Sequence, residues 1–363
     1  MMVRSLLLSL ICSFIIAIGW SQEKASSVEY KGKKPKNIIL LIGDGMGLSQ
    51  ISLAQFYGDG DSNFERFQHI GLLKNSADDK LVTDSAASAT SYATGEKTYN
   101  GAIGLKRDSI YVPNIVENVS QNGWSTGIIA TSSITHATPA SFYAHAKSRH
   151  MHEAIATALV TSDIDFFAGG GLKYFNKRLD ERDLLLELKL NGFAIDTLTL
   201  PLATRKGKVG MLLADDGLPK MIEGRGNFLA KATSLGLNHL GQNKKGFFLM
   251  VEGSQIDWAG HSNEVEYLIA EQLDFDETVG IALDYAEKHG ETLVIVTADH
   301  ETGGFTLAAK SGDYDTIEPS FSTYNHSATM IPIFAKGPGA SLFNGVYENT
   351  EVYHKLMSLL RKN

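Results

Sequence analysis

Seven side chains of the kinds that bind metal ions stand beside short apolar runs of this sequence. They are four carboxylates and three imidazoles: Asp44, Glu252, Asp257, Asp299, His261, His300 and His326. Any one of them alone has an ordinary explanation, such as a turn, a helix cap or a surface position. Gathered at one place, the four acids would repel each other strongly unless cations neutralised them. The set therefore indicates a site for metal ions.

The ligand types indicate which metals would bind there and what reaction they would serve. A mixture of imidazole and carboxylate suits zinc, whereas an oxygen-rich subset suits magnesium. Two metals close together can clamp both oxygens of a phosphoryl displacement. The side chains alone thus favour metal-assisted phosphoryl transfer or hydrolysis.

A serine offers a nucleophile for such chemistry. Ser85 opens an alanine-rich stretch in which Asp84 is placed to cap a helix and Gly95 to end it. The free N–H groups and the dipole at a helix start would favour a phosphate beside the serine hydroxyl. An ordinary buried helix of small residues explains the stretch equally well, so the rest of the chain has to decide.

Apolar runs of strand length alternate with helical patterns along the chain. The predicted strands are 37–43, 125–130, 164–167, 246–251, 291–297 and 330–335, and the predicted helices are 48–57, 84–94, 114–121, 151–159, 181–190, 226–240, 264–289 and 351–361. This alternation predicts an α/β fold with a doubly wound, mostly parallel central sheet flanked by helices. Ligands of such sheets bind beyond the carboxyl ends of the strands, which is where Asp44, Glu252 and Asp299 stand. Residues 172–225 are more charged and less regular, and they predict a small outlying insertion.

Composition narrows the class of protein. The chain has 363 residues, of which 43% are hydrophobic and 20% charged, which is typical of a globular protein. Its net charge of −8 argues against a nucleic-acid partner. An acidic protein that binds phosphate needs local positive charge, which metal ions or arginine would supply.

The amino-terminal segment has the pattern of a secretion signal. Arg4 precedes an apolar core that runs from Leu6 to Ile18, and small residues stand at the −3 and −1 positions of a cut before Gln22. We therefore expect a signal peptide over 1–21 and export to the periplasm or the medium, with a retained anchor as the alternative. A flexible lead-in over 22–36 and a catalytic domain over 37–363 would follow. The single cysteine, Cys12, lies in the signal segment, so the exported chain would have no disulfide and no thiolate zinc site.

Eight motifs, in a fixed order, resemble those of the metal-dependent alkaline phosphatases. They are DGMG at 44–47, TDSAASAT at 83–90, KTYNGAIG at 97–104, HATPASFYAHAKSR at 136–149, VEGSQIDWAGH at 251–261, TADHETGG at 297–304, NH at 325–326 and FAKGP at 334–338. Together they extend from about residue 37 to residue 340. This ordered set is far more specific than any single motif.

The resemblance implies roles for individual residues. Ser85 would be the nucleophile that becomes phosphoserine, and Arg149, oriented by Asp84, would clamp the phosphate oxygens with its planar fork. The metal ligands would form three sets: Asp257, His261 and His326 for a first zinc; Asp44, Asp299 and His300 for a second; and Asp44, Thr138 and Glu252 for a magnesium. His136 and Trp258, at positions that vary within the family, would lie behind these ligands. The family also implies broad specificity for small phosphate monoesters and a homodimer.

Two other functions stay open on the sequence. A phosphodiesterase or a sulfatase could use a related scaffold, although a sulfatase needs a Cys/Ser-x-Pro-x-Arg context and Ser85 is followed by alanines. A catalytically idle protein that binds metal or phosphate would have lost a ligand or the nucleophile, and every expected position is filled here.

Overall fold

The computed structural model describes residue 30, residues 32–203 and residues 206–360. The predicted signal segment 1–21, with Cys12, lies outside the described residues, as do 22–29 and 31 of the predicted lead-in. The described strands are β1 (Asn37–Gly43), β2 (His69–Lys74), β3 (Ser125–Ser133), β4 (Phe166–Gly170), β5 (Phe193–Asp196), β6 (Lys208–Leu212), β7 (Phe247–Gly253), β8 (Thr292–Thr297), β9 (Glu301–Thr302), β10 (Thr306–Lys310), β11 (Asp313–Ser320), β12 (His326–Ser327), β13 (Ile331–Lys336) and β14 (Gly345–Glu348). The described helices are α1 (Leu48–Tyr57), α2 (Ser85–Thr94), α3 (Ile115–Ser120), α4 (Ala137–Ala140), α5 (His152–Thr161), α6 (Lys173–Asn176), α7 (Leu184–Leu190), α8 (Phe228–Leu240), α9 (Gln255–Ser262), α10 (Val265–His289) and α11 (Thr350–Leu360).

Ten strands form one central sheet in the order β14-β2-β13-β8-β1-β7-β3-β4-β6-β5. Strand β13 runs antiparallel to both of its neighbours, and the other neighbouring pairs of this sheet are parallel. Two small antiparallel pairs, β10 with β11 and β9 with β12, lie outside it. The mixed, mostly parallel sheet flanked by helices confirms the predicted fold class.

The middle of the sheet is buried on both faces. Every residue of β1 and of β7 is buried. Strand β7 contacts four helices, which are α3, α4, α8 and α10. Parallel strands covered in this way carry continuous apolar runs instead of alternating ones, which is why the runs NIILLIG and FFLMV could be recognised as strands.

The region 172–225, predicted as an outlying insertion, is in part a continuation of the sheet. Its strands β6 and β5 add to the edge beyond β4, with β6 between β4 and β5. The prediction is therefore wrong for this part of the region. Strand β6 has five residues and the edge strand β5 has four, so the runs KVGML and FAID are too short to carry the apolar signal that marks the central strands. The helix predicted at 181–190 is present as Leu184–Leu190.

No helix in the described part of the chain is both long and apolar enough to cross a membrane.

Candidate active site

The three central strands β8, β1 and β7 bring the first carboxylates together. Ile42 of β1 is in register with Glu252 of β7 and with Thr297 of β8. Asp44 and Asp299 each stand two residues beyond this level, and the N–H of Gly45 donates to Asp299 Oδ1 at 3.0 Å. The acids Asp44, Glu252 and Asp299 are fully buried. Parallel pairing thus places them at the carboxyl edge of the sheet, where the sequence predicted them.

In the described part of the chain, three groups of side chains have ligand atoms within 4.8 Å of one another, and each group could hold a metal ion. They are Asp257 with His261 and His326, Asp44 with Asp299 and His300, and Asp44 with His136 and Glu252. The first two have the same members as the predicted zinc sets. The third contains His136, which the sequence placed behind the ligands, where the predicted magnesium set has Thr138. The Thr138 side chain is fully buried as well.

In the first group, two imidazoles turn the same nitrogen toward one carboxylate. His261 Nε2 lies 3.3 Å and His326 Nε2 3.5 Å from Asp257 Oδ1, and the two Nε2 atoms are 3.1 Å apart. The opposite nitrogens face backbone carbonyls, His261 Nδ1 at 2.6 Å from Tyr324 O and His326 Nδ1 at 2.9 Å from Thr83 O. A carbonyl only accepts, so each Nδ1 carries a proton, and Nε2 is the nitrogen through which each ring could bind a metal.

In the second group, the predicted nucleophile lies beside a predicted metal ligand. Ser85 Oγ lies 3.2 Å from His300 Nε2, which is itself 3.2 Å from Asp299 Oδ2 and 3.5 Å from Asp44 Oδ1. All four side chains are buried. The structure therefore brings Ser85 to the group that the sequence assigned to the second zinc.

Helix α2 is fixed to the loop that carries Asp299. The Ser88 hydroxyl donates to Asp299 O at 2.8 Å, and the Tyr92 hydroxyl donates to Ala298 O at 2.6 Å. At the start of the helix, Asp84 Oδ1 accepts from Ala87 N at 2.9 Å, which confirms the predicted cap. Ser85 thereby has a defined position relative to the predicted metal ligands.

Several buried polar atoms at this place have no hydrogen-bond partner among the described residues. They are both carboxylate oxygens of Asp44, Asp299 Oδ2, Glu252 Oε1, Thr138 Oγ1 and His136 Nδ1. Protein interiors rarely leave such atoms unpaired. Because the donor set is oxygen and imidazole nitrogen, the residues present fit zinc and magnesium well.

The acids of the site also need a counter-charge. Burial, and then the negative charges of Asp299 and Asp257, raise the pKa of Asp44 well above its ordinary value. Burial raises the pKa of Glu252 to about 7. A protonated carboxyl or a bound cation would relieve the same repulsion, and at alkaline pH only the cation is available.

Arg149 supplies the fixed positive charge beside Ser85. Its Nη1 lies 3.1 Å from Asp84 Oδ2, and its Nη2 lies 3.3 Å from His136 Nε2. Burial and the charge of Arg149 lower the pKa of His136 to about 3, so this imidazole is neutral and accepts the hydrogen bond. The half-buried Trp258 ring stands edge-on to His136, with ring centroids 5.9 Å apart.

Some supporting residues were not found by sequence reasoning. Gln50 is fully buried in α1, where its amide nitrogen donates to Glu301 Oε1 and to Thr302 O, both at 2.9 Å. Its amide oxygen accepts from Gly47 N at 3.0 Å, so it ties the Asp44 loop to the segment after His300. The available signal was a glutamine between the apolar positions of a short helix, which alone does not distinguish a buried side chain from an exposed one.

Comparison with known proteins decides the family. The alkaline phosphatase family model matches residues 35–318. The chain belongs to the alkaline phosphatase family. It is 38% identical over 349 residues to alkaline phosphatase 4 of Bacillus subtilis, covering 91% of this chain and 75% of that protein. It is 31% identical to the alkaline phosphatase of Escherichia coli, over 90% of this chain and 86% of that protein.

Solved structures of alkaline phosphatases have the same fold. The alkaline phosphatase of the Antarctic bacterium TAB5 superposes with a TM-score of 0.89 at 53% identity, over 92% of this chain and all of that one. A variant of the TAB5 enzyme in which a histidine is replaced by aspartate is described with Mg bound in its M3 site. The chain is accordingly a metal-dependent phosphatase, and its described residues include three groups that could hold metal ions.

Proposed function

We propose that the chain is an exported phosphatase that hydrolyses phosphate monoesters of broad range through a phosphoserine at Ser85. The observation that carries the proposal is the contact of Ser85 Oγ with His300 Nε2 at 3.2 Å, inside a buried group of metal-binding side chains. An ordinary serine hydroxyl is a weak nucleophile near neutral pH, and this one is placed where a bound cation would activate it.

We assign two zinc ions and one magnesium ion to the three groups. Asp257, His261 and His326 would hold one zinc, and Asp44, Asp299 and His300 the other. Asp44, Glu252 and Thr138 would hold the magnesium, with His136 and Trp258 beside them. When bound, the metals supply Lewis acidity and charge neutralisation at the reacting oxygens.

The residues of the chain bind the phosphate group and carry out its transfer. Arg149 binds two phosphate oxygens with its fork, and the free N–H groups at the start of α2 add partial positive charge. Ser85 Oγ attacks phosphorus, its bond to phosphorus forms while the ester bond breaks, and the alcohol leaves with a proton. Water then attacks the phosphoserine, which releases inorganic phosphate and restores the hydroxyl. Positioning and neutralisation account for most of the rate in such transfers.

The third group differs from an oxygen-only magnesium site because it contains His136. Imidazole is a poor ligand for magnesium compared with carboxylate. The TAB5 variants described with Mg in the M3 site have aspartate or glutamate in place of a histidine. We therefore propose that His136 weakens magnesium binding, and that His136→Asp binds magnesium more tightly in a calorimetric titration.

Replacement of the nucleophile tests the proposal. Ser85→Ala should lose nearly all turnover of an aryl phosphate at alkaline pH, and acid quenching should trap labelled phosphate on the wild type alone. Ser91→Ala is the matched control, because Ser91 lies on the same helix and its hydroxyl donates, among the described residues, only to Ala87 O and Glu96 O. A Ser85→Ala enzyme with near-normal rates would overturn the assignment. Parallel assays with an aryl diester and an aryl sulfate would show whether either alternative substrate is preferred.

Export and assembly form a separate part of the proposal. The signal pattern over 1–21 supports secretion to the periplasm or the medium, and the family supports a homodimer. The acidic net charge of −8 supports the absence of a nucleic-acid partner. Amino-terminal sequencing of the exported protein should begin at Gln22, and light scattering should give twice the chain mass.

A further inference from the structure

Gly217 lies against the indole ring of Trp258 at a distance that leaves no room for a side chain. A Cβ at this position would stand 2.6 Å from Trp258 Cη2 and 2.9 Å from Trp258 Cζ3. Gly217 is not among the glycines with positive φ, so its backbone conformation does not require glycine. The space that the indole occupies is therefore the reason that a side chain is excluded there.

Three hydrogen bonds hold the backbone around Gly217. We call residues 214–218 the strap. The N–H of Gly171 donates to Asp216 O at 2.8 Å, and the N–H of Leu218 donates to Thr131 O at 3.0 Å. The amide of Gln255, at the start of α9, donates to Leu218 O at 2.8 Å. Because the strap is anchored in this way, an added methyl group at Gly217 would displace the indole and not the strap.

The Trp258 indole in turn contacts His136, which is hydrogen-bonded to Arg149, the residue proposed to bind phosphate. The Trp258 and His136 rings meet edge to face, at 5.9 Å and 80°. His136 Nε2 accepts from Arg149 Nη2 at 3.3 Å. A continuous series of contacts thus runs from Gly217 through Trp258 and His136 to Arg149.

We propose that Gly217 is a positioning residue for phosphate binding. By leaving room for the Trp258 indole, it fixes the His136 ring and, through it, the guanidinium of Arg149. The affinity for the phosphate group is thereby set by a residue on the strap that does not touch the substrate. This inference rests on the proposed function, because it requires that Arg149 binds phosphate.

Gly217→Ala is the direct test. The methyl group should move the indole and loosen Arg149, so the Ki of inorganic phosphate as a competitive inhibitor should rise about 3- to 10-fold, since small misplacements of a binding group weaken its contacts. The KM for an aryl phosphate should rise with it, and kcat should change less. The zinc content should stay that of the wild type, which separates this effect from metal loss.

A double-mutant cycle separates positioning from a general loss of structure. In a Trp258→Ala background there is no indole to displace, so Gly217→Ala should leave the Ki unchanged. Gly241→Ala is the matched control, because an added Cβ there would also meet an aromatic residue, 2.5 Å from the Tyr285 hydroxyl. Gly241 precedes β7, and Glu252 lies near the opposite end of that strand. It should lower the melting temperature without changing the Ki.

Tryptophan fluorescence tests the geometry without any assay of activity. Gly217→Ala should alter the emission of the wild type and should cause no change in the Trp258→Ala background. A changed emission together with an unchanged Ki would overturn the link to Arg149 while leaving the proposed function intact. An equal change of Ki in both backgrounds would overturn the role of the indole. If no variant, including the wild type, turns over phosphate esters, the proposed function fails and the fluorescence result still stands.

Discussion

Asp84 divides its two carboxylate oxygens between the start of helix α2, which carries Ser85, and Arg149. Oδ1 accepts from Ala87 N at 2.9 Å, and Oδ2 lies 3.1 Å from Arg149 Nη1. The same residue therefore holds the start of α2, with Ser85, and the Arg149 guanidinium in a fixed relation. The sequence suggested a cap and, by resemblance, a partner for the arginine, and the structure shows that one side chain does both.

Asp84→Asn should separate the two tasks. The amide oxygen can still accept from Ala87 N, so the unfolding free energy should change by less than about 0.5 kcal/mol. The amide nitrogen would then face Arg149, donor against donor, and the Ki of inorganic phosphate should rise severalfold. Asp84→Ala should raise the Ki in the same way and also cost about 1 kcal/mol of stability. Equal stability losses in both variants would show that the cap depends on the charge and not on the oxygen.

The central sheet could be predicted because its signal is local. Strand β1 reads as an asparagine and six apolar or small residues followed by DGMG, and the next helix, α1, has the predicted bounds Leu48–Tyr57. The edge and outlying strands have no such signal. Strand β11, for example, is DYDTIEPS and mostly exposed, so only its pairing with β10 makes it a strand.

The residues of the candidate site also differ in how strong their sequence signal is. Carboxylates and histidines have few ordinary uses when they are buried. Asp257 and His261 could therefore be proposed as metal ligands from their spacing alone. The partners that orient them are threonine, glutamine and backbone carbonyls, which are common everywhere. Thr83 O and Tyr324 O fix the two histidine rings, and a carbonyl leaves no trace in the sequence.

Removal of metal should destabilise the protein most at alkaline pH. The pKa values of Asp44 and Glu252 are raised in the folded protein, to about 7 for Glu252. Without cations, the stability that these two protonated acids contribute is therefore complete below the ordinary carboxyl pKa. It is lost as pH rises through their pKa values in the folded state. The gap in melting temperature between metal-loaded and chelator-treated protein should therefore be larger at pH 8 than at pH 6. Chelator presaturated with zinc is the control and should leave the melting temperature unchanged. An equal gap at the two pH values would show that these acids do not carry the effect.

Thr302 should control metal affinity although it is not a ligand. Its hydroxyl donates to Asp257 Oδ1 at 2.5 Å and lies 3.2 Å from His300 Nδ1. Since the hydroxyl proton goes to Asp257, the oxygen accepts from His300 Nδ1–H and leaves His300 Nε2 free for a metal. Thr302→Val has the same shape without the hydroxyl, and its zinc affinity should fall about 10- to 100-fold in a chelator competition. Thr302→Ser should bind zinc nearly as the wild type does, and tight binding by the valine variant would contradict this role.

The pair of His145 and Glu117 should stabilise the fold over a limited pH range. His145 Nε2 lies 3.2 Å from Glu117 Oε1, and both side chains are largely shielded from solvent. Burial opposes both charges, but the Glu117 carboxylate and the Gly104 carbonyl raise the pKa of His145 above 6.5, and His145 lowers the pKa of Glu117 below 4.5. The histidine's share of the stability is lost as pH rises through its folded pKa, and the glutamate's share is lost as pH falls through its own. The contribution is therefore largest between these two ordinary values.

Glu117→Gln measures that contribution. Glutamine keeps the capping box that Glu117 forms with Asn114 but removes the charge. The variant should lose about 1 kcal/mol relative to the wild type in urea unfolding at pH 5.5, and less at pH 8.5. Both proteins must carry the same metal content at each pH. A loss that does not depend on pH would mean that the pair acts as a neutral hydrogen bond.

Arg225 should be needed for the stability of the fold, whereas one of its two acidic partners should not be. Its Nη2 lies 2.5 Å from Glu271 Oε2 and 2.8 Å from Asp274 Oδ2, and all three side chains are almost fully buried. Arg225→Met leaves two buried carboxylates without a cation and should cost about 3–5 kcal/mol. One guanidinium does not balance two carboxylates, and burial raises the pKa of Asp274 to about 6.

Asp274→Asn should therefore become more stabilising as pH rises. The raised pKa means that the folded wild type binds a proton at Asp274 more readily than the unfolded chain does, so ionisation above about pH 6 costs it stability. Below pH 4 the two proteins should unfold alike, because a protonated aspartate resembles asparagine. At pH 8 the variant should be the more stable by about 1–3 kcal/mol in urea unfolding. If the wild type is instead the more stable at pH 8, the attraction of Arg225 outweighs the cost of burying the second charge.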